Sequence, residues 1–288
     1  YSNSSTTGNA YYFDDIQVTG NKVQDVTPPA WIKLTLVEPN KLILTFSESI
    51  DFSVAQFQVD NGIGNPSNQI ISADKTTVEL TFASDFQRGK IYTVNVLNVK
   101  DLSGNMMENS QKQIGIVEAV GYGDLVINEI LFEPTAGVPE YFEIYNNSPK
   151  VMDLSKISYG TRKTDGSFTP SNFFPAKTLI LPQQYLALTT NPDTIRKVFD
   201  APDAAKIIQA AKWSALNNAG ASFLITNATG DSIFDEVKYD VKWHHPMVKI
   251  TAGVSLERIN PSLPSQNSDS WHSAAFEVHY GTPGYRNS

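Results

Sequence analysis

The chain's stock of groups that could move a proton or hold a metal is 30 acidic residues and four histidines, with no cysteine. Thiolate metal sites, thiol nucleophiles and disulfides are therefore excluded. Glu129, Glu133, Glu140 and Glu143 lie close together in sequence. Paired carboxylates can work as general acid and base when held roughly 5 to 9 Å apart in environments that split their pKa values. The local pattern predicts a plainer role. In an extended strand Glu143 shares a face with Tyr141 and Tyr145 while Phe142 and Ile144 face the core, which makes Glu143 a solvated or edge-protecting acid.

His244 and His245 are the only adjacent histidines, and with His272 and His279 they exhaust the imidazoles. Neighbouring strand residues point to opposite faces, so the pair is poorly spaced for one zinc ion, which favours spacings such as His-x-x-x-His. The expectation is that one ring packs beside Trp243 and the His272 ring beside Trp271. Gly253-Val254-Ser255-Leu256-Glu257 has the start of a nucleophile elbow, but the closing glycine is replaced and Pro261 opposes the helix that geometry demands. Arg258 is predicted to pair with a carboxylate such as Glu129 or Glu143, an anchor between the first and last strands. Asp25, Asp101 and Asn105 raise a calcium reading, because calcium takes clustered carboxylate and carbonyl oxygens. No twelve-residue calcium loop is present, and Asp101-Leu102-Ser103-Gly104-Asn105 reads as a turn in which Asp101 accepts from nearby N–H groups. No cofactor is expected. Trp213, Trp243, Trp271 and Tyr285 can stack on a sugar or a protein partner, or fill the core. Trp243, His244, His245, Trp271 and Tyr285 are accordingly the candidate binding residues. Trp271 is expected to plug one end of its domain, with the Gly281–Gly284 turn folded over it.

Positioning these residues takes two domains. At 288 residues the chain suits two units of roughly 100 to 170 residues each. A net charge of -8 argues against nucleic acid as a partner, since that affinity rests on Lys and Arg. No apolar run approaches the ~20 residues of a membrane helix. The chain starts at Tyr1 without a signal-peptide pattern, which reads as a mature product or an excised fragment.

Residues 1–25 hold one strand-like run, Tyr11 to Val18, and a linker, and Asp25-Val26-Thr27-Pro28-Pro29 is a stiff connector to the domain that follows. From Trp31 to about Gly115 apolar residues alternate: Leu42/Leu44/Phe46, Val78/Leu80/Phe82, Tyr92/Val94/Val96. That period predicts a sandwich of short antiparallel strands over 26–115. A linker at 116–123 leads to a second all-β domain over 124–288, opening with Val126-Ile127-Asn128-Glu129-Ile130 and Glu140-Tyr141-Phe142-Glu143-Ile144-Tyr145-Asn146. Turns are predicted at Asp165-Gly166 and Thr229-Gly230-Asp231. One helical stretch is predicted from Asn191 to about Trp213, capped by Asn191, started by Pro192 and split by Pro202 into two short helices.

The opening motifs of the second domain, Tyr239 to Pro246, Gly253 to Pro261, Trp271 to Ala275 and Gly281 to Ser288 follow in an order that resembles the lamin-tail family of bacterial exported proteins. Asp25-Val26-Thr27-Pro28-Pro29, Leu44 to Glu48 and Asp101 to Asn105 resemble the Ig-like domains of bacterial surface-layer proteins. Tyr11 to Val18 resembles the final strand of jelly-roll, lectin-like domains, which suggests an upstream domain. Together the resemblances imply tandem Ig-like β-sandwiches, secreted or at the cell surface, that contact protein or glycan without catalysis. Two other readings remain: a carbohydrate-binding accessory module of a secreted enzyme, and a metal-dependent hydrolase using the Glu129/Glu143 region with His244 or His245.

Overall fold

The computed structural model describes residues 20, 24–199 and 201–288, so the expected strand at Tyr11 to Val18 lies outside the described residues. The first domain carries β1 (Trp31–Glu38), β2 (Lys41–Phe46), β3 (Ile50–Asp51), β4 (Gln56–Val59), β5 (Asn68–Ile71), β6 (Thr77–Thr81), β7 (Ile91–Leu97), β8 (Lys100–Asp101) and β9 (Ser110–Gly115). A four-stranded sheet, β1-β2-β6-β5, packs with a three-stranded sheet, β4-β7-β9, and β3 pairs β8. In β2, β6 and β7 every second residue is buried, as the alternation predicts. Leu42, Leu44, Val78, Leu80, Val94 and Val96 join one apolar cluster, with Phe82, Phe86 and Tyr92 in edge-to-face contact.

The second domain begins with β10 (Leu125–Leu131), β11 (Tyr141–Asn146), β12 (Met152–Asp153), β13 (Ser158–Thr161), β14 (Asn172–Phe173), β15 (Leu179–Ile180) and β16 (Tyr185–Thr189). Helix α1 (Pro192–Phe199) follows, then β17 (Ile207–Gln209), β18 (Gly220–Thr226), β19 (Ile233–Asp240), β20 (Leu256–Arg258) and β21 (Trp271–Ser273). Six strands form one sheet in the order β17-β16-β11-β10-β20-β21, and β14-β13-β18-β19 form the facing one. All pairings in the larger sheet are antiparallel except β16 with β17. The chain is thus all-β, two Ig-like antiparallel sandwiches in tandem with a short helical insertion.

That helix is shorter than the sequence predicts. Asn191 does cap it, its Oδ1 accepting from Thr194 N at 3.2 Å, but the helix ends at Phe199. Beyond Pro202 there is a single 3-10 turn at Ala204–Lys206, and Ile207–Gln209 runs parallel beside β16. Sheet pairing there satisfies the backbone that a second helix would have satisfied internally.

Helix α1 matters because of where it lies. The inner face of the six-stranded sheet, with Phe142, Ile144, Leu186 and Leu188, packs on the smaller sheet. On the outer face Leu131, Tyr141 and Ala187 meet Ile195 and Phe199 of α1. Both faces of the central strands are covered, so β10 is buried along its whole length.

Candidate functional site

Three glutamates stand side by side across the middle of that covered sheet. Glu143 on β11 is paired in register with Glu129 on β10, and Glu129 with Glu257 on β20; His272 on β21 continues the row. A register shift between Ile127 and Glu129 is what turns Glu129 to the outer face while Ile127 and Ile130 both reach the inner core. All three carboxyls are fully buried. The expectation of a solvated Glu143 is therefore corrected. It does share the face of Tyr141, as the alternation predicts, but that face is roofed by residues 281–288 and α1 instead of by water.

The roof is built to meet carboxylates. Glu129 accepts from Tyr141 Oη (2.5 Å), Thr282 N (3.0 Å) and the Ser255 hydroxyl. Glu143 accepts from Asn128 Nδ2 (2.8 Å) and Gly284 N (2.6 Å). Glu257 accepts from Thr282 Oγ1 (2.7 Å), Ser288 N (2.9 Å) and Ser288 Oγ (2.6 Å). Asn287 ties the segment further by donating to the carbonyls of Asn128 and Arg258. Gly281 lets the chain pass: a Cβ there would stand 2.5 Å from Tyr141 Oη and 2.7 Å from Phe199. Burial, then the Glu257 charge, pushes Glu129 up to about 7, and burial followed by the Glu129 charge raises Glu143 well above the carboxylate range.

Arg258 does not pair with Glu129 or Glu143. Its Nη1 donates to Asp235 Oδ2 and to the Ile127 carbonyl, each at 3.1 Å, and Nη2 donates to the Leu263 carbonyl. It still joins the early strand β10 to the late strand β20, with Asp235 of β19 as the acid. Arg258 alternates in facing with Glu257, which puts it on the inner face, away from the glutamate row. Asp235 also accepts from Ile127 N and the Ser265 hydroxyl. Burial pushes Asp235 up and Arg258 down, against their mutual attraction.

The histidine pair follows a 3-10 turn, Val241–Trp243, and is not in a strand. His244 is buried with Nδ1 3.0 Å from Ser273 Oγ and its ring 5.6 Å from Phe132, and burial holds its pKa down at about 4. His245 donates its backbone N–H to the same hydroxyl. His272 Nδ1 contacts the Ser273 carbonyl at 2.8 Å. Trp243 and Trp271 lie with ring centroids 6.3 Å apart, and both line a cavity of about 270 Å³ with His244, His245, Asp269 and His272. Glu129 and Glu143 are not among its lining residues. Trp271 is buried, with Nε1 donating to the Ser265 carbonyl, so its ring belongs to the core. The Gly281–Gly284 turn is not folded over it, but lies on the opposite face over Glu129 and Glu143. Tyr285 sits in the roofing segment, partly buried, its N–H bonded to the Thr282 carbonyl.

In the first domain Asp25, Glu48 and Asp101 bring one carboxylate oxygen each within 4.8 Å of one another. Asp101 Oδ1 accepts from Ser103 N and Asn105 N, and Oδ2 accepts from Asn105 Nδ2 at 2.6 Å, while Gly104 takes a φ of 93°. That is the turn the sequence predicts. Burial and the charges of Asp25 and Asp101 raise Glu48.

Sequence reasoning missed Glu257, Thr282 and Asn287 as partners of the row. A signal existed: six of the eight residues from Leu125 to Phe132 are apolar with no alternation, and a strand that is apolar on both faces implies cover on both.

These features define a class, all-β proteins of Ig-like sandwiches in tandem, whose second unit is closed by its own C-terminal segment. The family model for the bacterial Ig-like domain matches residues 18–114, and that for the Lamin Tail Domain matches residues 118–240. Both domain types expected from the motifs are thereby present. Among solved structures, the chain is similar to the N-terminal part of the bacterial S-layer protein SbsC, at 17% identity and a TM-score of 0.28 over 57% of this chain and 41% of that one. It is also similar to a DUF4876 family protein from Bacteroides thetaiotaomicron, at 9% identity and a TM-score of 0.35, covering 81% and 94% of the two chains. For α-2-macroglobulin of Escherichia coli, domains MG0-NIE-MG1, the values are 12%, 0.25, 71% and 80%. The chain spans 41% of the length of the S-layer chain. No curated protein matches it.

Proposed function

We propose that the chain is a noncatalytic structural and interaction module of an exported or cell-surface bacterial protein, with the first sandwich as spacer and the second as contact domain. The observation that carries this is how the acids of the second domain are used. Glu129, Glu143 and Glu257 each accept two or more hydrogen bonds under a closed roof, and Asp235 is held by Arg258, Ser265 and the backbone. Catalytic acids sit in clefts that a substrate can enter. The hydrolase reading needs the glutamates and His244 or His245 around one cleft, and the cavity at the histidines has neither Glu129 nor Glu143 in its wall.

Carbohydrate binding is the second reading, favoured by one feature: half-buried Trp243 beside Asp269 and Lys242 at that 270 Å³ cavity, an aromatic face with polar neighbours. A glycan array probed with the labelled chain separates the two. The structural reading predicts no saturable glycan signal and saturable binding to a purified surface protein. A glycan signal abolished by Trp243→Ala would replace it with the second reading, and substrate turnover lost in Glu129→Gln would overturn both.

A further inference from the structure

The seat of residues 281–288 has a proton count of its own. Thr282 Oγ1 lies 2.7 Å from Glu257 Oε1 and 3.1 Å from Glu129 Oε2. A threonine hydroxyl carries one hydrogen. When that hydrogen serves Glu257, the contact to Glu129 is a hydrogen bond only if Glu129 Oε2 carries a proton and donates it. Without that proton, two charged carboxylates face one hydroxyl oxygen inside a site closed to water.

The surroundings offer little counter-charge. On the sheet, the groups facing the row are Glu143 and Tyr141 of β11, Glu257 of β20 and His272 of β21, whose Nε2 is 3.5 Å from Glu257 Oε2. Tyr145 and Tyr185 stand beside Glu143, and Arg286 of the closing segment reaches Tyr185 electrostatically. From α1, Phe199 packs on Tyr141 and Gly281, while Arg196 is engaged with Asp193 and the Ala204 and Ile207 carbonyls. The segment also leaves its neighbours through a strained joint. His279 and Tyr280 have φ of 55° and 67°, two consecutive side-chain-bearing residues in the left-handed region, directly before Gly281.

We propose that residues 281–288 are a proton-gated latch, closed over the Glu143–Glu129–Glu257 row when the row holds its extra proton and released by the joint at 279–280 when that proton leaves. Deprotonation places a second uncompensated charge beside Glu257 and removes the donor to Thr282. The segment's main-chain N–H groups at 282, 284 and 288 can then exchange their carboxylate partners for water.

Amide hydrogen exchange of the intact chain tests this between pH 5 and 9, read as protection factors so that the intrinsic pH dependence is removed. A one-proton gate predicts that protection at Thr282 and Gly284 falls by up to about tenfold per pH unit between the ordinary glutamate value and the midpoint of the closed row and levels off above that midpoint, while protection in β6 and β7 stays level. Glu129→Gln keeps the shape and a donor but cannot ionise, and its protection at 282 and 284 should be flat across the range. Carbon NMR of the wild-type glutamate carboxyls provides the control that does not depend on a variant folding. One carboxyl of the row titrating near neutral pH, with protection at 282 and 284 levelling off above that pH, supports the latch. Protection independent of pH, or row carboxyls that all titrate in the ordinary glutamate range while the segment stays protected, overturns it.

Discussion

The two sandwiches answer the same alternating pattern in different ways. In the first, strands β2, β6 and β7 bury every second residue and leave the others partly open to solvent. In the second, β10 and β11 bury nearly everything, because α1 and the closing segment cover the face that alternation would give to water. Polar residues on an open face remain solvated. On a covered face they must be bonded internally, and this is where the second domain holds Glu129, Glu143 and Glu257, with Asp235 and Arg258 paired between the sheets.

The largest expected break in the comparison is Arg258→Ala. It leaves Asp235 buried without its cation, and removing one partner of a buried pair costs about 3–5 kcal/mol. Scanning calorimetry should show the second domain's transition falling sharply while the first domain's holds. Leu44→Ala is the mirror experiment: a fully buried leucine of the first core, costing about 2–5 kcal/mol, should move the first transition alone. A shift of both transitions by either variant would show that the cores are not independent.

Next come the opposed pH responses of the second domain. Glu129 has its folded pKa raised to about 7, so its contribution is fully present below the ordinary glutamate value and is lost as pH rises from about 4.5 to about 7. His244 has its folded pKa lowered to about 4, so its contribution is present above the ordinary histidine value and is lost as pH falls from about 6.5 to about 4. The two slopes partly cancel in the wild type. Burial raises Glu143 and Asp235 as well, so relative to the wild type Glu129→Gln should make stability fall less steeply with rising pH over this window, and His244→Asn more steeply, both read from urea midpoints. The first domain supplies a third direction, since Asp51, lowered to about 2 by its Ser53 hydrogen bonds and Lys100, loses its contribution only in strong acid. The smallest effect is expected from calcium. Asp101 already accepts three hydrogen bonds within its turn, so millimolar calcium followed by chelator should leave the first transition in place. A calcium-dependent rise of several degrees would make Asp25, Glu48 and Asp101 a cation site.

Much of the frame was readable beforehand. Tyr141 and Glu143 do lie opposite Phe142 and Ile144, Asn191 does cap a helix, and Gly104, Gly166 and Gly230 do take positive φ in turns. Three of the departures share one cause. The sequence puts Glu143 in water, Arg258 beside Glu129 or Glu143, and the Gly281–Gly284 turn over Trp271, because periodicity says which residues share a face but not what lies over it.

Residue order alone determined the all-β class, the two kinds of sandwich and the alternation of each strand, since these follow from local geometry and the repeat of apolar side chains. The tertiary structure decided that β10, β11 and β20 stand adjacent, that their three glutamates form one row, and that the last eight residues close over it. Those facts depend on strand pairing and on contacts between positions more than a hundred residues apart, such as Glu129 with Thr282, which no local pattern encodes.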